Sequence, residues 1–242
     1  GEAVRPGDAA HRRAAENFRT NLTLLIEHAA SRGVPVVLMP PVSNLKDMPP
    51  LASLTRNGRL LKDDGAVHDL AGLLAGGNFE ELRRRAENFI VSDSPAAIWH
   101  YYLGHALLAG GDAVAARASF EEAKELDALQ FRACDELVDV ILSFGNPSKR
   151  PPGSNVHVVD PRPAFEQISP RGLPGGELFY EHVHPTFSGN LVLAWSAALG
   201  IEKVKGLQSA APDFPHEAYL RRNVQFAVDR FMAALKIDRL IR

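Results

Sequence analysis

The sequence predicts an α/β fold interrupted by an all-α repeat region, and three observations carry that expectation. Residues 10–39 run from an amphipathic helix through a glycine turn into a continuous apolar run. A second apolar run, Val156-His157-Val158-Val159-Asp160, is closed by Pro161 and followed by more helical pattern. Between them, residues 59–130 turn to Ala-, Leu-, Gly-, Glu- and Arg-rich sequence with an internal period. The expected divisions are an α/β segment over 1–58, inserted helical repeats over 59–130, a second α/β segment over 131–200 and a helical segment over 201–242.

Residues 1–10 are polar and expected to fray. From Ala10 to Ser31, Phe18, Leu22, Leu25, Ile26 and Ala29 recur at helical spacing. Gly33 is placed to stop that helix. Val34-Pro35-Val36-Val37-Leu38-Met39 then reads as a buried strand of a parallel sheet. The stretch Pro40–Pro50 holds too much proline for a helix or a central strand. It follows the carboxyl end of a strand, where open α/β sheets bind ligands. Ser43, Asn44, Lys46 and Asp47 are therefore candidate cleft residues, the alternative being a rigid surface connection.

In the central region, Leu103-Gly104, Gly111, Ala116, Phe120 and Ala123 fall at tetratricopeptide spacing, a repeat of ~34 residues. Leu70, Gly77, Phe79 and Leu82 stand in equivalent places one repeat earlier, and Asp127-Ala128 stands where a proline is usual. An ordinary pair of helical hairpins is the alternative. Trp99, His100, Tyr101 and Tyr102 either pack between helices or line a peptide-binding groove. The run Arg83-Arg84-Arg85, beside Glu80, Glu81 and Glu87, reads as a salt-bridged solvent face. A helix is expected from Phe131 to Phe144, a short one over Ala164–Ile168, one after Thr186 to about Leu199, and a last one over Pro215–Leu235.

A net charge of −2 and a pI near 6.5 give no basic footprint for nucleic acid. The single cysteine, Cys134, rules out an internal disulfide and a cysteine-built zinc site. No apolar run approaches the ~18 residues that would span a membrane. The compartment stays open: the chain reads as soluble as it stands. Its start on Gly1 leads us to expect a preceding segment, which could carry a periplasmic or membrane-anchoring signal.

Chemistry concentrates in Leu178-Phe179-Tyr180-Glu181-His182-Val183-His184-Pro185-Thr186. Pro185 biases His184 towards extended backbone. Thr186 is a fitting N-cap for the helix that carries Leu191-Val192-Leu193-Ala194-Trp195. A carboxylate three residues before a histidine on such a loop can hold one imidazole nitrogen while the other moves a proton. His184 is thus the candidate base and Glu181 its orienting acid. His182 is a candidate for the cleft or for support of the pair, the alternative being a solvent-facing residue. A zinc site from Glu181, His182, His184 and His157 has suitable ligand types but no convincing further partner, so no metal is expected. Asp160 reads as a helix cap.

Residues 16–51 and 131–195 resemble the C-terminal half of SGNH/GDSL-type hydrolases, in particular those interrupted by tetratricopeptide repeats. The stretches that carry the likeness are Asn17–Pro50, Leu126–Ala133 and Leu178–Thr186. The resemblance implies a three-layer α/β/α, flavodoxin-like parallel sheet, here partial. It implies a serine esterase acting on an ester or acyl small molecule, glycan or lipid, with no metal or organic cofactor. His184 would be the general base and Glu181 its orienting acid, glutamate replacing the usual aspartate. The family's Gly-Asp-Ser motif and oxyanion-hole residues have no counterpart here, since Gly7-Asp8-Ala9 lacks the serine. The nucleophile is expected outside this chain, which alone should be inactive; Ser43 lacks the glycine-flanked turn of an exposed nucleophile.

The alternatives are a protein- or peptide-binding module built on the repeats, and an acyltransferase on the same scaffold. With two clear strands, the sheet should leave an open edge at Val34–Met39. A second copy of the chain, making a homodimer, or residues 1–10 are expected to cover it.

Overall fold

Two parallel strands of three residues each, β1 (Val36–Leu38) and β2 (Val156–Val158), make up the sheet in a computed structural model that describes residues 7–61, 64–93 and 96–205. Val36 pairs with Val156, Val37 with His157 and Leu38 with Val158. Among these residues the chain is otherwise mostly helical. The expected three-layer α/β/α sheet is therefore corrected: two short strands do not make it. The strands are shorter than their apolar runs, although Asn155 and Val159, on either side of β2, still bond to Val36 and Leu38, and the side chains of β1 are half-buried. No third strand lies beside β1 among the described residues. Ala9 and Ala10 begin a helix and form no strand, and residues 1–6 lie outside the described residues.

The chain divides into two compact units. One holds residues 15–44 with 135–205 of the described chain. Most of α1 (Ala9–Ala30) lies there, with α6 (Asp135–Ser143), α7 (Arg162–Ile168), α8 (Phe187–Lys205) and both strands. One sheet face is covered by Ile26 of α1, Val140 of α6 and Phe144, which enclose Val156 with Phe18, Leu22, Val36, Leu38 and Val158 around them. Residues 26, 22 and 18 are the predicted stripe of α1, while Leu25 stays exposed. On the other face α8 lies so close that a Cβ on Gly200 would overlap Val37. A second cluster joins Phe165 of α7, Leu178, Phe179 and Val192 of α8. α6 begins at Asp135, later than the expected Phe131, whose side chain is exposed. The helix expected over Pro215–Leu235 lies outside the described residues.

The other unit holds residues 7–14 and the described part of 45–134. Four helices succeed one another there: α2 (Gly65–Ala75), α3 (Phe79–Asp93), α4 (Ala97–Ala109) and α5 (Ala113–Glu125). Asp64 and Asp112 cap α2 and α5 through side-chain bonds to Ala66 N and Ala115 N. Gly77 and Gly111 supply the positive φ of the α2–α3 and α4–α5 turns. A Cβ on Gly104 would stand 2.7 Å from the Phe120 ring, so the missing side chain is what lets α4 and α5 approach. Trp99, Tyr101 and Tyr102 are buried, with Trp99 stacked on Phe89, so these aromatics pack between helices instead of lining a groove. Arg83 pairs with Glu87, and Arg84 and Arg85 with Glu81, on the solvent side of α3.

Candidate functional site

Residues 178–186 form a tight reversal. Tyr180 N donates to His184 O at 2.9 Å, Phe179 and Pro185 make an antiparallel bridge, and Thr186 N donates to Leu178 O at 2.8 Å. Its base is anchored by Leu178 and Phe179, with Phe179 stacked on Phe165 at 5.4 Å. Thr186, at the start of α8, accepts Gly189 N on its hydroxyl oxygen at 3.3 Å and donates that hydroxyl to Glu177 O at 3.2 Å. Gly189 itself leaves no room: a Cβ there would press into the Leu178 carbonyl oxygen and stand 2.9 Å from Pro185 Cβ. The reversal is thus seated directly on the first turn of α8.

At its tip Glu181 curls back over the amides that follow it. One carboxylate oxygen, Oε1, accepts Val183 N at 3.0 Å and His184 N at 2.6 Å. The His182 amide also faces the carboxylate. Successive amides of this kind form a small anion-holding concavity. The same Oε1 accepts His184 Nδ1–H at 2.6 Å. Glu181 is 9% exposed. Burial alone would raise its pKa. The amides of His184 and Val183 and the His184 ring overcome that effect and hold the carboxyl below the usual range. The carboxylate therefore stays charged beside the imidazole.

The His184 side chain is 69% exposed, and among the described residues its Nε2 has no hydrogen-bond partner. One ring nitrogen is held and the other is presented to solvent. His182 is the opposite case. It is 6% exposed, not solvent-facing, and its Nδ1 lies 3.7 Å from Glu181 Oε2. Its carbonyl accepts Asn44 N at 2.9 Å. Asn44 follows β1 and is 2% exposed, so the loop after β1 grips the tip of the reversal.

Of the four cleft candidates, Ser43 and Asn44 belong to the unit that holds Glu181 and His184. Lys46 and Asp47 belong to the other, where they form an ion pair with each other. His157 is engaged by Asn155 Oδ1 at 2.8 Å. Asp160 accepts Arg162 N at 3.0 Å and pairs with the Arg162 guanidinium at 2.8 Å, a structural role at the start of α7. Among the described residues no group of three His, Cys, Asp or Glu side chains could hold a metal ion, and no helix is long and apolar enough to cross a membrane.

One polar centre was not anticipated as such. Asp127 accepts Leu51 N at 2.8 Å, Ala52 N at 2.9 Å and Leu129 N at 3.1 Å, and lies 3.7 Å from Arg132 Nη2. Both side chains are almost wholly buried. The only signal in the sequence was an aspartate where the repeat usually carries proline.

No family model, no curated protein and no solved structure matches this chain. What the site can do rests on its own geometry. A charged acid out of water fixes an imidazole whose other nitrogen is open to solvent, an arrangement that can accept and return a proton.

Proposed function

We propose that this chain supplies the general base, His184, and its orienting acid, Glu181, of a serine hydrolase acting on esters or acyl esters, with the nucleophile and oxyanion donors contributed from outside these residues. The observation that carries the reading is the 2.6 Å bond from His184 Nδ1 to a buried carboxylate, with Nε2 left facing solvent. A serine Oγ brought to Nε2 would pass its proton to His184 as it attacks the ester carbonyl. The imidazolium, stabilised by Glu181, would then return that proton to the departing alkoxide. Water, giving a proton to His184, would then attack the acyl carbon, and serine Oγ would leave with that proton to release the acid; an alcohol in place of water would make the same pair an acyltransferase. The reading stands on this pair and not on a multistranded sheet.

Two measurements test it. p-Nitrophenyl acetate given to the purified chain should show no burst, and a burst lost in His184→Ala would place the nucleophile inside the chain. In the assembly or longer polypeptide that supplies the serine, a fluorophosphonate should label that serine. Labelling should slow about 100-fold or more in His184→Ala, as loss of a general base requires. Equal labelling of both proteins overturns the assignment of His184.

A second reading concerns α2–α5, taken as two tetratricopeptide-like units. It is favoured by full burial at equivalent places: Leu82 and Ala86 in one pair answer Ala116 and Phe120 in the next, an offset of about 34 residues. Such units commonly serve as binding surfaces for another protein or peptide. Alanine substitution of the exposed Phe79 and Val114 should weaken a partner recovered with the intact chain, without changing its helicity; retention at full strength argues against that surface.

A further inference from the structure

We propose that His182 is a positioning residue for the Glu181–His184 pair: its buried ring packs beside the second carboxylate oxygen and holds the carboxylate plane in which the first meets His184. This rests on the acid–base reading given above. The need for such a device comes from glutamate itself. Its terminal torsion is broad, so the side chain by itself does not fix the tilt of the carboxylate plane. Yet the surroundings of the two oxygens differ. Oε1 receives Val183 N, His184 N and His184 Nδ1, the His182 amide also faces the carboxylate, and the His182 ring lies beside Oε2, Nδ1 at 3.7 Å.

At that distance the ring makes no hydrogen bond to Oε2, but it occupies the space on that side. With His182 6% exposed and Glu181 9% exposed, ring and carboxylate lie together largely out of water. Swinging the carboxylate would drive Oε2 towards the ring while stripping Oε1 of its donors. The backbone that carries the ring is tied from outside the reversal, because the Asn44 amide holds the His182 carbonyl at 2.9 Å. His182 therefore links the loop after β1 to the orientation of His184.

The test is nitrogen-15 NMR of histidine side chains in the intact chain, with His184 assigned by its loss in His184→Asn. In the unsubstituted protein, neutral His184 should carry its proton on Nδ1, visible as a single, slowly exchanging downfield resonance. In His182→Leu the carboxylate loses its wall and its polar neighbour, and that resonance should be lost or broadened into exchange. In His182→Gln, whose amide can stand beside Oε2, it should return. The Asn44 amide, measured by hydrogen exchange, reports whether the reversal stays docked. A resonance unchanged in His182→Leu overturns the proposal. So does its loss in both variants together with Asn44 protection, since His182 would then serve folding alone. Absence of the resonance in the unsubstituted protein would remove the acid–base pair itself, a failure distinct from either.

Discussion

Glu181 Oε1 accepts both the backbone amide and the ring Nδ1–H of His184, each at 2.6 Å. One carboxylate oxygen therefore fixes the histidine at two points, main chain and side chain, and the ring cannot turn without leaving the acid. The extra methylene that glutamate has over aspartate lets the carboxylate arch over the turn and meet amides of the residues after it. Structure and candidate chemistry share the same charge, and this makes the site sensitive to acid.

Protonation should loosen the reversal. The folded-state pKa of Glu181 is lowered: burial opposes the charge, but the amides of His184 and Val183 and the imidazole outweigh it. A carboxyl with a depressed folded pKa contributes stability that is complete above its unfolded value, ~4.3 for glutamate, and is lost as pH falls through the folded value. Protection of the Val183 and His184 amides against hydrogen exchange should hold from neutral pH to about 5 and decline below ~4. Glu181→Gln should lower that protection by about 1–2 kcal/mol at neutral pH and flatten its acid limb, since charge-assisted bonds become neutral ones. Protection that declines equally in both proteins would separate the acid response from Glu181.

The parts of this arrangement were unevenly legible in the sequence. Pro185 after His184 and Thr186 before an apolar run announced a loop leading into a capped helix. The i, i+3 spacing of Glu181 and His184 announced a possible bond. The curl of Glu181 was not legible, because it needs three amides to converge, and the residues from Tyr180 to His184 include no glycine or asparagine to signal a turn. Burial of His182 depends on Asn44, far earlier in the chain. The sheet was over-read for a related reason. A short apolar run is consistent with a buried parallel strand by pattern alone. How many such strands join is a property of the whole chain, and among the described residues the paired strands are Val36–Leu38 and Val156–Val158. The helices fared better, because the stripe of Phe18, Leu22 and Ile26 is a local property that packing merely used. The burial of Asp127 was not legible, because a buried aspartate looks like a surface one until its three amide donors are known.

That buried centre gives a second prediction. Asp127 and Arg132 are each 2% exposed. Burial pulls the Arg132 guanidinium pKa down, while the nearby charge of Asp127 pulls it up, and the net direction is downward. Removing the acid leaves a buried cation without its carboxylate and three amides without their acceptor, the Met48 carbonyl 3.5 Å from Arg132 Nη1 being neutral. Asp127→Ala should therefore destabilise the helical unit by about 3–5 kcal/mol, the usual result of breaking a buried pair from one side. Thermal unfolding followed by circular dichroism measures this, since most of the helix signal of that unit comes from α2–α5. A loss under about 1 kcal/mol would mean that water reaches Arg132 and the amides once the carboxylate is gone.

The third prediction tests packing between α4 and α5. Gly104→Ala would place a methyl carbon 2.7 Å from the Phe120 ring, which is fully buried and cannot swing aside. Overpacking of this kind costs about 1–3 kcal/mol. Phe120→Leu alone should also destabilise, by opening a cavity. Together the two changes should cost less than their sum, because the smaller side chain gives the methyl group room; contacting residues show couplings of about 0.5–3 kcal/mol. Strict additivity in a double-mutant cycle would separate the two positions.

The fourth prediction returns to the seat of the reversal. Gly189 lies in the first turn of α8, where a Cβ would press into the Leu178 carbonyl oxygen and approach Pro185 Cβ to 2.9 Å. Leu178 O is also the acceptor for Thr186 N, the bond that closes the reversal at 2.8 Å. A helical position ordinarily gains from alanine, by about 0.5–1 kcal/mol over glycine. Here backbone stands in the way instead of a movable side chain, so the sign reverses. Gly189→Ala should push the reversal off α8, lengthen the Thr186–Leu178 bond and speed exchange of the Thr186 amide at least ~10-fold, equivalent to about 1.4 kcal/mol, within the range for overpacked sites. The effect should stay local, leaving α2–α5 unchanged in the same exchange experiment. Slower exchange in the variant would mean that helix propensity outweighs the clash, and that the reversal can shift on α8 without losing the bond that closes it.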